Sequence, residues 1–459
     1  MFQRHLALCL ACTALLATPV SAARVTDGSG LAQSVTGNTS VTMPTDGTIS
    51  FEGIRARVQT NNRSLKAAEE NLKSAQAMNW DEPIGELQDA IDEMEDQLEL
   101  LLNSTTGSLE MAQQQLAAAI GKITVAGGQI SGLQDFANSL ILVNTLNTAS
   151  QLSKMQAASL EASLESMETQ LEDLKEQKED YQKTLEDTEH QIDYAADQTV
   201  SGAESLYLTI LSTNLQRESL LETLESTKRS LDEVQLRYDL GQVSQLTLLQ
   251  AQNGYQSVET SLASLENTLS SLTGSLQTLM GDPATGQLTL TNIPSVTEQQ
   301  LSALSYATGL TRAKERSYTL YASTRAVENA EEEMNDARRD EGKDSYQYKM
   351  AAYAYQAALY QDQATVAEFE LSFQNLYKAI PPAQAALTDK EAALDYEEQV
   401  YAVAEKKHAL GLLSNNALLD AQVTLHSAQR EVQAAKLDLF TAYHNYDQAV
   451  QKGLVNSGG

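Results

Sequence analysis

Arg237-Tyr238-Asp239-Leu240-Gly241-Gln242-Val243-Ser244, running into Leu248-Leu249-Gln250-Ala251-Gln252, decides the fold, because most of it returns later in the chain. Leu240-Gly241 falls on Leu410-Gly411, Ser244 on Ser414, Leu248-Leu249 on Leu418-Leu419 and Ala251-Gln252 on Ala421-Gln422, all at a shift of 170 positions. Upstream the same shift carries Leu206-Tyr207 and Ile210 onto Leu376-Tyr377 and Ile380, and Leu224 onto Leu394. Helical composition alone aligns Leu with Leu, but it does not place a glycine, a serine and an Ala-Gln pair at matching points. Each copy reads as a periodic helix reaching Leu-Gly, a short crossing and a second helix. Glycine takes the left-handed conformation that ends a helix, and the serine three positions later caps the next one. Two antiparallel hairpins per chain follow. With its first helix starting near Ile192, the first arm is roughly 70 Å long at 1.5 Å per residue.

Working outward, apolar residues alternate at spacings of four and three through Leu87, Ile91, Met94, Leu98 and Leu101. They do so again through Leu160, Leu164, Met167, Leu171 and Leu174. Both are coiled-coil seams, and Lys178 puts a local polar break in the second. Between them Met111 to Leu152 is rich in small and hydroxyl residues, with Gly127-Gly128 as a turn. Phe136 to Ser153 lacks charge but is too polar for a spanning helix, and suits an assembly tip or a contact with another component. Gly281-Asp282-Pro283 ends a helix, Gln287 to Thr291 alternates like a short strand, and Pro294 closes a linker over 282–296. The first repeat therefore covers 50–281, with a coiled-coil insertion at about 82–190, and the second covers 297–453 before a tail at 454–459. In the second, a helix from about Glu298 to Arg339 is predicted, then a turn at Asp340-Glu341-Gly342. A second long helix follows, which Pro381-Pro382 must kink or restart.

Residues 1–22 read as a signal peptide. Arg4 and His5 precede an apolar run from Leu6 to Ala17, and Val20-Ser21-Ala22 predicts cleavage after Ala22. Residues 23–49 read as a flexible segment. Both cysteines, Cys9 and Cys12, lie in the leader, so the mature chain offers no thiol for disulfides, metal or nucleophilic catalysis. With 18 Tyr, 6 Phe and 1 Trp in 459 residues the chain is poor in material for large globular cores, which favours helices meeting through narrow seams. Acidic residues outnumber basic ones by 62 to 31, and a net charge of −31 repels polyanions, which argues against nucleic-acid binding. The same charge suits the solvated surface of an exported protein.

The two turn motifs, in order and separated by a linker, resemble those of the TolC-type outer-membrane efflux proteins. Ala409-Leu410-Gly411, Leu418-Leu419-Asp420-Ala421-Gln422 and Ala442-Tyr443-His444-Asn445-Tyr446 are similar to that family, as is the linker Gly281 to Pro294. The resemblance covers about Ser50 to Ala77 and Ile192 to Gly453. It implies an all-α fold of two tandem repeats of long antiparallel coiled-coil hairpins, forming an α-helical barrel on trimerisation with little or no β-barrel. A homotrimer of this kind makes a hollow twelve-helix cylinder. The resemblance also implies an exit duct of a tripartite efflux or type I secretion system, in the outer membrane and periplasm. Its partners are a periplasmic adaptor (membrane fusion protein) and an inner-membrane transporter. The adaptor-docking turns are then Leu240, Gly241, Gln242, Val243, Ser244 and Leu410, Gly411, Leu412, Leu413, Ser414. Asp420 matches an aperture-lining position, whereas Leu413, Ala417 and Thr247 stand where the family has other polar residues. Family repeats carry two membrane strands each, of alternating polarity with aromatic girdles. Neither insertion site here reads that way, and membrane association stays open.

Two other function classes compete. A non-transporting coiled-coil spacer or scaffold derived from the same fold fits the missing strands; it suits the outer face of the cytoplasmic membrane or the cell wall where no outer membrane exists. Leu-Gly-x-x-Ser turns favour transport, since a spacer tolerates any turn chemistry. An enzyme has little support. His5, His190, His408, His426 and His444 form no metal-ligand spacing, no Gly-rich phosphate loop follows a strand, and neither a cofactor nor a catalytic residue is expected.

Overall fold

The architecture follows from where the helices stop. A computed structural model describes residues 48–455 apart from 123, 127, 128 and 292; the predicted leader with Ala22, and the Gly127-Gly128 turn, lie outside the described residues. The chain is all-α, with four strands of two or three residues. It divides into two units, one of residues 1–70 and 190–459 and one of Asn71–Glu189.

In the larger unit, β1 (Thr48–Ile49) leads into α1 (Phe51–Asn61) and α2 (Arg63–Gln76). The predicted flexible segment thus ends earlier than residue 49, because Ile49 is buried in the core and Thr48-Ile49 pair in parallel with the linker. Asn62 separates α1 from α2. Its side chain accepts from the amides of Ser64 (3.0 Å) and Leu65 (3.1 Å), and donates to the carbonyl of Leu279 (2.8 Å). A side chain that caps α2 thereby also closes the end of a helix far away in sequence.

The smaller unit begins at Asn71 rather than at residue 82. It holds α3 (Asp81–Gly121), the antiparallel pair β2 (Thr124–Ala126) and β3 (Gln129–Ser131), and the first part of α4 (Leu133–Asp239). Heptad positions Ile91 and Leu171 are buried, and the other seam residues named above are half-buried. Lys178, the polar residue in that seam, forms an ion pair with Asp81 at 2.6 Å. Nearby Tyr181 donates to the carbonyl of Ala75 at 2.8 Å and packs its ring on Trp80. No helix among the described residues is long and apolar enough to cross a membrane.

The remaining elements are α5 (Gln245–Leu279), β4 (Thr289–Leu290, paired with β1), α6 (Glu298–Ser302), α7 (Tyr306–Arg316), α8 (Tyr318–Asp340), α9 (Tyr346–Ala409) and α10 (Asn415–Lys452). One sequence expectation fails here. The single helix from Glu298 to Arg339 is three helices, since the hydroxyls of Ser305 and Ser317 accept from the amides of Thr308 and Leu320 and start new ones. At Pro381-Pro382, where a kink or a restart was expected, α9 runs on without a restart. Both prolines are exposed, and the carbonyls of Tyr377 and Lys378 that lose an N–H partner lie on or near the surface, where water replaces it.

Packing reveals a duplication deeper than the turns. Phe51 meets Tyr207 edge to face, ring centres 5.6 Å apart at 72°, and Tyr306 meets Tyr377 at 5.6 Å and 64°. Tyr377 follows Tyr207 by the 170 positions already seen, while Tyr306 follows Phe51 by 255 because the smaller unit intervenes. One core gathers Ile54, Val58, Tyr207, Leu276 and Met280; the other gathers Ala313, Phe373, Ile380 and Ala449. Each repeat closes on a glycine with positive φ, Gly281 at +77° and Gly453 at +65°. A Cβ at Gly281 would lie 2.2 Å from the carbonyl oxygen of Asn61, and one at Gly453 would lie 2.5 Å from the backbone of Arg316 and Ser317. Only glycine lets the end of each hairpin rest on the break in its own repeat's first helix.

Candidate docking tips and duct wall

α4 and α9 end alike. Past Asp239, the amide of Gly241 donates to the carbonyl of Tyr238 (2.9 Å) and that of Gln242 to Arg237 (2.8 Å). In the second copy Gly411 donates to His408 and Leu412 to Lys407, both at 2.8 Å. This paired closure requires the left-handed conformation at the glycine, and both glycines have φ of +72°. Ser244 then accepts from the amide of Thr247 and Ser414 from that of Ala417, each at 3.2 Å, to start α5 and α10. The two turns thus share one bonding scheme although Gln242-Val243 in one stands as Leu412-Leu413 in the other.

What surrounds the turns is open. A Cβ on Gly241 or Gly411 would meet nothing within 4 Å. Leu240 is 63% exposed, Leu410 74% and Leu412 73%, so on a strongly acidic chain both tips present bare leucine.

Behind the tips the helices stand in a fixed order. Arg217 of α4 pairs with Glu266 of α5 at 3.2 Å, and Lys390 of α9 with Glu431 of α10 at 2.8 Å, joining the arms of each hairpin. Between the hairpins, Glu222 of α4 sits against His426 (2.6 Å) and Arg430 (2.7 Å) of α10. Burial works to raise the Glu222 pKa, but hydrogen bonds and charge from Arg430 and His426 prevail and hold it below the ordinary 4.5. Farther from the tips, the buried Glu204 accepts from Gln448 at 2.8 Å and lies 3.2 Å from His444, while Asp197 pairs with Lys452 at 3.1 Å. These contacts set α4 and α10 antiparallel and in register, with both tips at one end. The order is α5, α4, α10, α9.

That order explains the burial. Toward the tips, α4 and α10 are covered along two sides, but α5 is covered along one narrow stripe through Leu248, Ala251, Tyr255, Val258, Leu262 and Leu265. The tip half of α9 likewise has one covered seam. Outside that stripe the tip half of α5 is mostly Ser, Thr, Asn and Gln, with only Glu259 and Glu266 charged and with Leu246 and Leu249 exposed next to the turn.

All ten predicted turn residues lie in these two turns. Asp420 is exposed on the second turn of α10, and its carboxylate forms no ion pair among the described residues. Sequence reasoning missed Asn62, the Glu222 cluster and the paired glycine closures. Asn62, a strong N-cap type just before a helical run, was the one of these with a readable signal.

No family model and no curated protein matches the chain. Among solved structures it is similar to the outer-membrane channel OprN, at 14% identity over 88% of this chain and 90% of that one, with a TM-score of 0.49. It is also similar to the Campylobacter jejuni outer membrane channel CmeC (11% identity, 94% and 96% covered, TM-score 0.44). A third is the Vibrio cholerae outer membrane protein VceC (17%, 59% and 72% covered, TM-score 0.44). Likenesses at that level leave the function to be argued from the chain's own residues.

Proposed function

We propose that the chain is the exit duct of a tripartite efflux or type I secretion system: a homotrimer whose hairpins close side by side around water. It docks a periplasmic adaptor through its tips and passes substrate from an inner-membrane transporter through the cell envelope. The observation that carries this reading is the four-helix layer with two covered inner helices, two half-bare edge helices and both leucine-glycine tips at one end. A layer of that kind satisfies its edges by meeting another copy edge to edge, and the closed form encloses a bore. Function then comes from shape, with no chemical step. In this reading Asp420, exposed near the second tip, lines the aperture. Leu240 to Ser244 and Leu410 to Ser414 form the adaptor seat. A non-transporting spacer built from the same hairpins is the second reading, favoured by the helical coil at Asn71–Glu189 in place of alternating strands.

The test replaces both tip glycines with valine and measures capture of a periplasmic adaptor, together with export. A β-branched residue resists φ near +72°, so the turn must reshape and the leucines move. Loss of capture and export with helical content retained is expected. Unchanged capture would count against tip docking.

A further inference from the structure

Along α4, a face about two turns long is covered by the second repeat. His190 packs on Tyr321 with ring centres 4.5 Å apart, Tyr194 stacks on Tyr318 at 4.8 Å, and Asp197 pairs with Lys452. The same face recurs on α9 170 positions later as Tyr360, Ala364 and Ala367, and there every one of these residues is exposed. It belongs to a longer stripe. From Tyr346 to Leu371 the chain places an apolar residue at alternating spacings of four and three, with Tyr346, Tyr353 and Tyr360 one heptad apart and Met350 between. Tyr346 is 73% exposed, Tyr353 78% and Tyr360 64%. A strict heptad seam is built for another helix, and among the described residues none covers this one.

The duplication says which helix fits. Tyr318 and Tyr321, which cover the α4 face, follow Arg63 and Lys66 of α2 by the same 255 positions that separate Phe51 from Tyr306. Arg63 and Lys66 are exposed and form no ion pair among the described residues. Resting on the reading of the chain as a ring of copies, we infer that the α9 tyrosine stripe seats α2 of a neighbouring copy. Tyr360 lies against Lys66 of that copy and Ala364 against Arg63 of that copy. The contact repeats between chains what α4 and α8 do within one. Cations set on tyrosine faces suit it chemically, and the small Ala364 leaves room for the guanidinium. The seam is heterologous, so the stripe of the last copy meets α2 of the first when the ring closes.

The full chain carrying Tyr360→Cys and Lys66→Cys is oxidised and run without reductant, with each single variant and the unsubstituted chain, whose thiols are Cys9 and Cys12, as blanks. The double variant is expected to give a ladder of covalent multimers ending at the copy number of the ring, and the blanks none. In parallel, Tyr360→Lys sets like charges together and is expected to cut the closed oligomer seen by native mass spectrometry at least tenfold; adding Lys66→Glu restores it. A closed oligomer that shows no 66–360 cross-link and ignores Tyr360→Lys overturns the seam and leaves the duct standing. A chain that stays monomeric overturns both.

Discussion

Gly411 and Gly453 have nearly the same backbone, φ +72° and +65°, yet different surroundings. Alanine at Gly411 carries only the left-handed strain of about 1–2 kcal/mol, since its Cβ meets open space. Alanine at Gly453 carries that strain and also drives a methyl into the backbone of Arg316 and Ser317, worth about 1–3 kcal/mol more. Thermal melts are expected to rank Gly453→Ala well below Gly411→Ala, and equal midpoints would contradict the packing. Glu222 gives a second residue-scale outcome. Its folded pKa lies below 4.5, so the stability it adds is present above that value and is lost as the pH falls through the lowered one. Glu222→Gln is expected to flatten the acid limb of a stability profile below about pH 4.5 and to change little of its slope near neutrality. The turn glycines were legible because two copies carry them. The closing glycines were not recognised as a pair, since the smaller unit changes the offset of their partners from 170 to 255.

At the scale of elements, the heptads were read correctly because a coiled-coil seam is local: Leu87 to Leu101 needs no knowledge of what lies far away. Helix breaks are different. Between α1 and α2 the chain has no proline or glycine, and Asn62 marks the break by capping α2 while it also reaches the distant Leu279 carbonyl. Ser317 does the same work between α7 and α8, where one continuous helix was expected. At Pro381-Pro382 the helix runs on without a restart, because on an exposed face the lost bonds are taken up by water. Asn62→Ala is expected to cost about 1 kcal/mol for the cap and about 1–3 kcal/mol for the carbonyl it leaves unpaired. Denaturant titration checks the sum, and a loss within error of zero would show that the break is fixed by packing alone.

For the whole molecule, the layer order α5, α4, α10, α9 governs function more than any single side chain. Neither charge nor composition announced that order; it emerges from Arg217–Glu266, Glu222–Arg430 and Lys390–Glu431, pairs whose members are tens to hundreds of positions apart. A chain with net charge −31 leaves narrow uncovered seams along its half-bare edge helices α5 and α9. The most direct test is end-on particle imaging of the purified full-length protein. A ring of equally spaced helices around a solvent-filled bore, with the leucine tips at one rim, is the expected image. A lone rod, or a bundle with density through its centre, would contradict the account.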